Sequence, residues 1–175
     1  MIRILLFTVS LILVNQVSNM EQTIKLEQLL TFQINQNPNE IANYFRNSNE
    51  WVCNSNDFSN LKNTYKWFRA NNDEEFESYT KDQFWYFPSG EFDAAIVFLT
   101  ENKNEFDLIN AQIVSLDMEV IETINKPNMI NYTVYANPDQ IIQVYEPLIP
   151  NNYGRYNYTF MVFSKRDYNN GFRIK

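Results

Sequence analysis

Asp117 and Glu119 stand two residues apart in a segment, Val114 to Ile121, where apolar and polar residues alternate. On a β-strand that spacing puts both carboxylates on one face, close enough to perturb each other's ionisation. Such a pair on a concave sheet would do acid–base work on a sugar or an enolisable ligand. The plainer reading is the polar, solvent-facing side of a half-buried strand, and it is preferred. Asp73, Glu74, Glu75 and Glu77 read more simply still, as a solvated loop and helix start.

What the chain lacks is more decisive. It contains no histidine, one cysteine and three glycines. Without histidine there is no Ser-His-Asp or Cys-His triad, no imidazole metal ligand and none of the commonest general base. A single cysteine cannot build a thiolate zinc cage or a CxxC redox pair. Three scattered glycines form neither a dinucleotide fingerprint nor a phosphate loop. Carboxylates and tyrosines are left, with no catalytic motif among them and no call for a cofactor or metal. An enzyme is therefore the disfavoured reading.

The elements that would position these groups begin after residue 19. Met1 to Val14 holds one charge, Arg3, followed by an apolar run, and Asn15 to Asn19 turns polar. A basic start, a short apolar core and a polar exit make a secretory signal, and the run falls short of the roughly 20 residues needed to span a bilayer. Cleavage falls after Ser18 or after Asn19. Residues 20–175 then form one domain, secreted to the extracellular side and large enough to bury a core without disulfides. Cys53, beside Trp51 and Val52, is expected to be buried and inert. The formal charge of −7 argues against nucleic acid, which binds clustered Lys and Arg. No second long apolar run points to a membrane.

Ile24, Leu26, Leu29, Leu30, Phe32 and Ile34 give a first helix its apolar stripe. Asn37, Pro38 and Glu40 punctuate it as cap, first turn and capping-box acid, and Ile41, Ala42, Tyr44 and Phe45 continue a second helix. Trp51 to Cys53 reads as a short strand, Asn54 to Asn60 as a polar turn, and Phe58 to Ala70 as a helix with Leu61, Tyr65 and Phe68 on one face. Phe84-Trp85-Tyr86-Phe87 is a core corner or a ligand wall, with core preferred. Strands are expected at Ala94–Leu99, Val114–Ile121, Asn131–Ala136, Ile141–Tyr145 and Tyr156–Val162, and a turn at Asp167–Gly171. The fold class is α+β, with N-terminal helices packed on one face of an antiparallel sheet. Two sequons, Asn131-Tyr132-Thr133 and Asn157-Tyr158-Thr159, are glycosylation acceptors in an exported chain.

The phrase Ile41-Ala42-Asn43-Tyr44-Phe45, followed by Trp51-Val52-Cys53, resembles the secreted NTF2-like domain proteins of nematodes. Tyr158-Thr159-Phe160-Met161-Val162-Phe163 and Asn170 to Ile174 resemble the paired last strands of that fold. The resemblance implies a cone: a curved antiparallel sheet wrapped around helices, with an apolar pocket at its mouth. Trp85, Phe87, Tyr158 and Phe160 are the candidate ligand-binding aromatics. Pocket enzymes of this group often use a His that this chain lacks, so no catalytic residue is carried over. The leading expectation is a non-enzymatic domain that binds a small apolar ligand or a partner protein. A carboxylate- and tyrosine-dependent enzyme is the second reading. The third is a structural domain forming a homodimer through the sheet face at Tyr156 to Val162.

Overall fold

The structure, a computed structural model, describes residues 23–48, 50–53, 64–69, 82–90, 92–152 and 154–171. The expected signal, the polar turn at 54–60, the acidic residues at 73–77 and the terminal segment at 172–174 lie outside them. Among the described residues two helices come first, α1 (Leu26–Asn35) and α2 (Pro38–Arg46). Gln36 ends α1 with a left-handed φ of 50°, the usual way to satisfy last-turn carbonyls. Asn37 then caps α2, its side-chain oxygen accepting from the Asn39 N–H at 3.0 Å, and Pro38 opens the first turn. Glu40 does not reach back as a capping-box acid; it accepts from the Asn35 amide at 3.0 Å.

Four strands follow, β1 (Trp51–Cys53), β2 (Tyr65–Arg69), β3 (Asp82–Phe87) and β4 (Ala95–Thr100). Helix α3 (Lys103–Ser115) interrupts them before β5 (Glu119–Lys126), β6 (Ile130–Ala136), β7 (Gln140–Pro147) and β8 (Tyr158–Ser164), and a short α4 (Lys165–Asn169) comes last. The eight strands form one antiparallel sheet in the order β1-β2-β3-β4-β8-β7-β6-β5. Two meanders thus meet along β4 and β8, and the sheet is not closed. The α+β class is as expected, with α3 standing between strands rather than before them.

Period-two alternation explains the layers. Trp67, Phe84, Tyr86, Ile96, Phe98, Phe160, Val162 and Ile142 point to the face that carries α1, α2 and α3. There they pack on Leu29, Phe32, Ile41, Phe45, Phe106 and Ile109. A smaller apolar cluster on the opposite face, with Ala95, Val134, Ile141 and Phe163, is covered in part by Tyr168 of α4. Apolar residues on both faces make β4 the continuous hydrophobic run that its sequence shows.

Four local expectations are corrected. Residues 167–169 of the expected turn belong to α4, whose cap, Ser164, accepts from the Asp167 N–H at 3.2 Å. The Phe58–Ala70 helix is not formed over its described part: Tyr65–Arg69 is a strand, paired with β3 through Tyr65↔Tyr86 and Trp67↔Phe84. Its aromatics suit a pleated sheet, and ring contacts such as Trp67–Phe84 at 5.8 Å decide the matter. The strand expected from Val114 belongs to the end of α3, and β5 begins only at Glu119. Cys53 is exposed rather than buried: of β1, Trp51 is committed to the core and Cys53 stands at the surface.

Helix α3 starts at Asn102, whose side chain accepts from the Asn104 N–H at 3.0 Å and the Glu105 N–H at 3.4 Å. Asn102→Ala is expected to cost about 1 kcal/mol, measured as a shift in the urea midpoint, whereas Asn102→Ser retains most of the stability. An alanine variant as stable as the parent would remove the cap from the account.

Candidate functional site

Asp117 and Glu119 do not share a strand face. Asp117 lies in the turn that leaves α3, with φ of 51°, and its N–H donates to Val114 O at 3.1 Å. Both carboxylates are exposed. With Met118, Asn137, Pro138 and Lys165 they border a solvent-open depression of about 330 Å³. An acid pair needs shelter from water to hold its two carboxyl groups in different protonation states. This depression gives none.

Two carboxylates sheltered on one cation lie elsewhere. Arg69 at the end of β2 places Nη1 2.6 Å from Asp82 on β3 and Nη2 3.3 Å from Glu105 on α3. The Arg69, Asp82 and Glu105 side chains are all at most 6% exposed. Glu105 also accepts from Thr100 Oγ1 at 3.2 Å and from the Ile24 N–H at 3.1 Å, and Asp82 accepts from the Glu101 N–H at 3.2 Å. The Arg69 guanidinium lies 5.0 Å from the centre of the Trp51 ring. One cation thus serves two buried anions. Burial pushes the Glu105 carboxyl above its ordinary range; Arg69 pulls it down and Asp82 pushes it up. The cluster ties α3, β2, β3, β4 and the segment before α1 together, and what it does chemically is hold them.

Sequence reasoning missed this cluster, whose members are scattered along the chain. One signal was present: Asn102 followed three residues later by Glu105, with Phe106, Ile109 and Ile113 spaced as a helix face.

A larger cavity, about 490 Å³, lies between α1 and α3. Leu26, Leu30 and Ile34 of α1 and Leu116 after α3 supply its apolar lining, and Thr31, Gln112, Ser115 and Gln140 its polar lining. Two of these amides are fixed by backbone bonds. Gln112 Oε1 accepts from the Leu26 N–H at 2.8 Å, and Gln140 Nε2 donates to Leu30 O at 3.0 Å and to Gln33 Oε1 at 2.8 Å. Lys25 and Glu27 also line it, with opposite charges. Ile34 and Leu116 are 58% and 57% exposed, so the apolar lining reaches open solvent.

The four aromatics expected at a ligand site are not brought together. Tyr158 and Phe160 are buried in the core, their rings 4.6 and 5.3 Å from that of Phe106. Trp85 and Phe87 are half-buried on the opposite face, where Trp85 Nε1 donates to Gln83 Oε1 at 3.1 Å and Lys66 Nζ sits 4.8 Å from the ring centre. None of the four lines the cavity between α1 and α3.

No protein-family model matches the chain, and no curated protein or solved structure shows significant similarity to it. The fold and cavity define an α+β domain with one open eight-stranded antiparallel sheet and an apolar groove in its helical layer. Among the described residues no helix is long and apolar enough to cross a membrane.

Proposed function

We propose that the chain is an exported, non-enzymatic domain of the NTF2-like type that binds a small apolar ligand in the groove between α1 and α3. Export rests on the charge and hydropathy of residues 1–19. The NTF2-like reading is supported by paired helices that precede an antiparallel sheet and share its core, with the phrase Ile41 to Phe45 on α2 and Tyr158 to Phe163 on β8.

The groove carries the binding reading. Its 490 Å³ falls within the 300–1,000 Å³ of small-molecule sites, which are mostly apolar with a few fixed polar groups. Among the described carboxylates, Glu105 and Asp82 are held in buried ion pairs and Asp117 and Glu119 stand in water, which supports binding over catalysis at those positions. Because Lys25 and Glu27 offset each other, the favoured ligand is uncharged, with an aliphatic body and one hydrogen-bonding head.

Thermal unfolding with 1-decanol, and fluorescence of an anilinonaphthalene dye, test this. A ligand at 100 times its Kd stabilises the native state by about 2.7 kcal/mol. Ile34→Glu places a charge on the groove wall at a largely exposed position. It is expected to abolish the gain while leaving the ligand-free stability within about 0.5 kcal/mol of the parent. A gain of equal size in Ile34→Glu, or none in the parent with either probe, would sink the reading.

A further inference from the structure

The two sequons have opposite surroundings in the fold. Asn157 is exposed and lies just before β8. The chain is held firmly on both sides of it. Upstream, the Asn151 N–H donates to Arg155 O at 2.7 Å, Asn151 Oδ1 accepts from the Arg155 N–H at 3.1 Å, and the Arg155 guanidinium lies 3.5 Å from Glu101. Downstream, the buried Tyr158 stacks on Phe106. The hydroxyl of Thr159, the residue that completes the sequon, donates back to Asn157 O at 3.5 Å. A bulky group on Asn157 would project into water without moving any of these anchors.

Asn131 sits inside the sheet, with β6 paired on both sides and Asn131 in register with Asn125 and Glu146. Its Nδ2 donates to Glu146 Oε2 at 3.3 Å, and its Oδ1 is buried. Glu146 in turn lies 3.7 Å from Lys103 of α3. A sugar on this carboxamide would have to displace Glu146 and separate the end of β7 from α3.

We propose that Asn157 is a site of N-linked glycan attachment and that Asn131 stays unmodified. The proposal rests on the export reading, because the donor, a lipid-linked oligosaccharyl diphosphate, is met in the secretory pathway. In the transfer, Asn157 Nδ2 bonds to C1 of the first sugar and gives up one proton. The bond from C1 to the diphosphate oxygen breaks, the lipid diphosphate leaves with the electron pair, and the proton passes to water. In the folded sheet Thr159 is in register with Leu99 and Tyr145, so transfer precedes the pairing of β8. A chain that took a sugar on Asn131 at that stage could not then bring Glu146 against Asn131 and Lys103, and the folded molecule is the one that carries its glycan on Asn157 alone. The finished glycan then stands on an exposed residue.

The test expresses the full chain in eukaryotic secretory cells, once with its own residues 1–19 and once with these replaced by a proven export signal. Intact mass and gel mobility are read before and after peptide-N-glycosidase. One glycan is expected, lost in Asn157→Gln and in Thr159→Ala, kept in Thr159→Ser and kept in Asn131→Gln. Entry only with the replacement signal would overturn the export reading, and the occupancy result would still be read on that chain. An exported chain without glycan, or one whose glycan survives Asn157→Gln and disappears in Asn131→Gln, would overturn the proposal.

Discussion

Arg69→Ala is expected to destabilise the fold by about 3–5 kcal/mol, the range for removing one partner of a buried ion pair. The loss has little to do with the guanidinium's own attraction, which is largely offset by the cost of burying it. It arises because Asp82 and Glu105, at 4% and 1% side-chain exposure, are left as two neighbouring anions without a cation. Packing against Trp51 is lost as well. Urea unfolding reads the effect, and a loss below about 1 kcal/mol would show that water reaches the cluster. Glu105→Gln separates charge from shape. With its carboxyl pushed upward, Glu105 holds its proton more tightly in the folded chain than in the unfolded one. Its contribution is therefore fully present below the ordinary carboxylate range and is lost as pH rises through the elevated folded value. The parent's stability relative to Glu105→Gln should fall over that window as pH increases. A difference that stays constant, or one that grows in the parent's favour, would contradict the assigned direction.

Phe45→Ala should cost about as much, roughly 3–5 kcal/mol for a large aromatic in a core. Phe45 is 1% exposed, and its ring centre lies 4.8 Å from that of Trp51, 5.2 Å from Trp67, 4.9 Å from Phe84 and 5.2 Å from Tyr44. It joins α2 to β1, β2 and β3 at once. Four rings cannot collapse into the vacated volume without breaking their mutual packing, so the site relaxes poorly. Phe45→Leu, which retains most of the apolar bulk, should recover much of the loss. Calorimetry or urea unfolding checks both variants; a cost below about 1.5 kcal/mol for the alanine would mean that the hub closes up.

Helices α1 and α2 and the later strands were legible in the sequence because their signals are local; α3 and α4 were not read. Asn37-Pro38 announces α2, and the alternation of Tyr158, Phe160 and Val162 announces β8. Errors arose where two periods fit one stretch. Tyr65 and Phe68 lie three apart, as on a helix, yet Tyr65 and Trp67 also alternate, and pairing with β3 selects the strand. Val114, Leu116 and Met118 alternate as in a strand, yet Val114 lies in the last turn of a helix whose inward face is Phe106, Ile109 and Ile113, and Leu116 is its C-cap. Of the candidate sites, only the sequons were readable, because a sequon is contiguous. The groove and the ion cluster join residues from distant elements, and nothing local marks a cavity between two helices or an arginine shared by two acids.

The meeting of the two meanders along β4 and β8 also governs how the chain reaches its structure. Pairs such as Ile96 with Val162 close only after α3 and the whole second meander have been made. Such non-local pairing slows folding, toward milliseconds to seconds in sheet-rich domains. Until it happens, β4 shows an unpaired edge bearing Ile96, Val97 and Phe98, a template for any other extended chain nearby. Between synthesis of β4 and arrival of β8 this edge is open to aggregation, and a chaperone that covers it would protect the chain until β8 pairs.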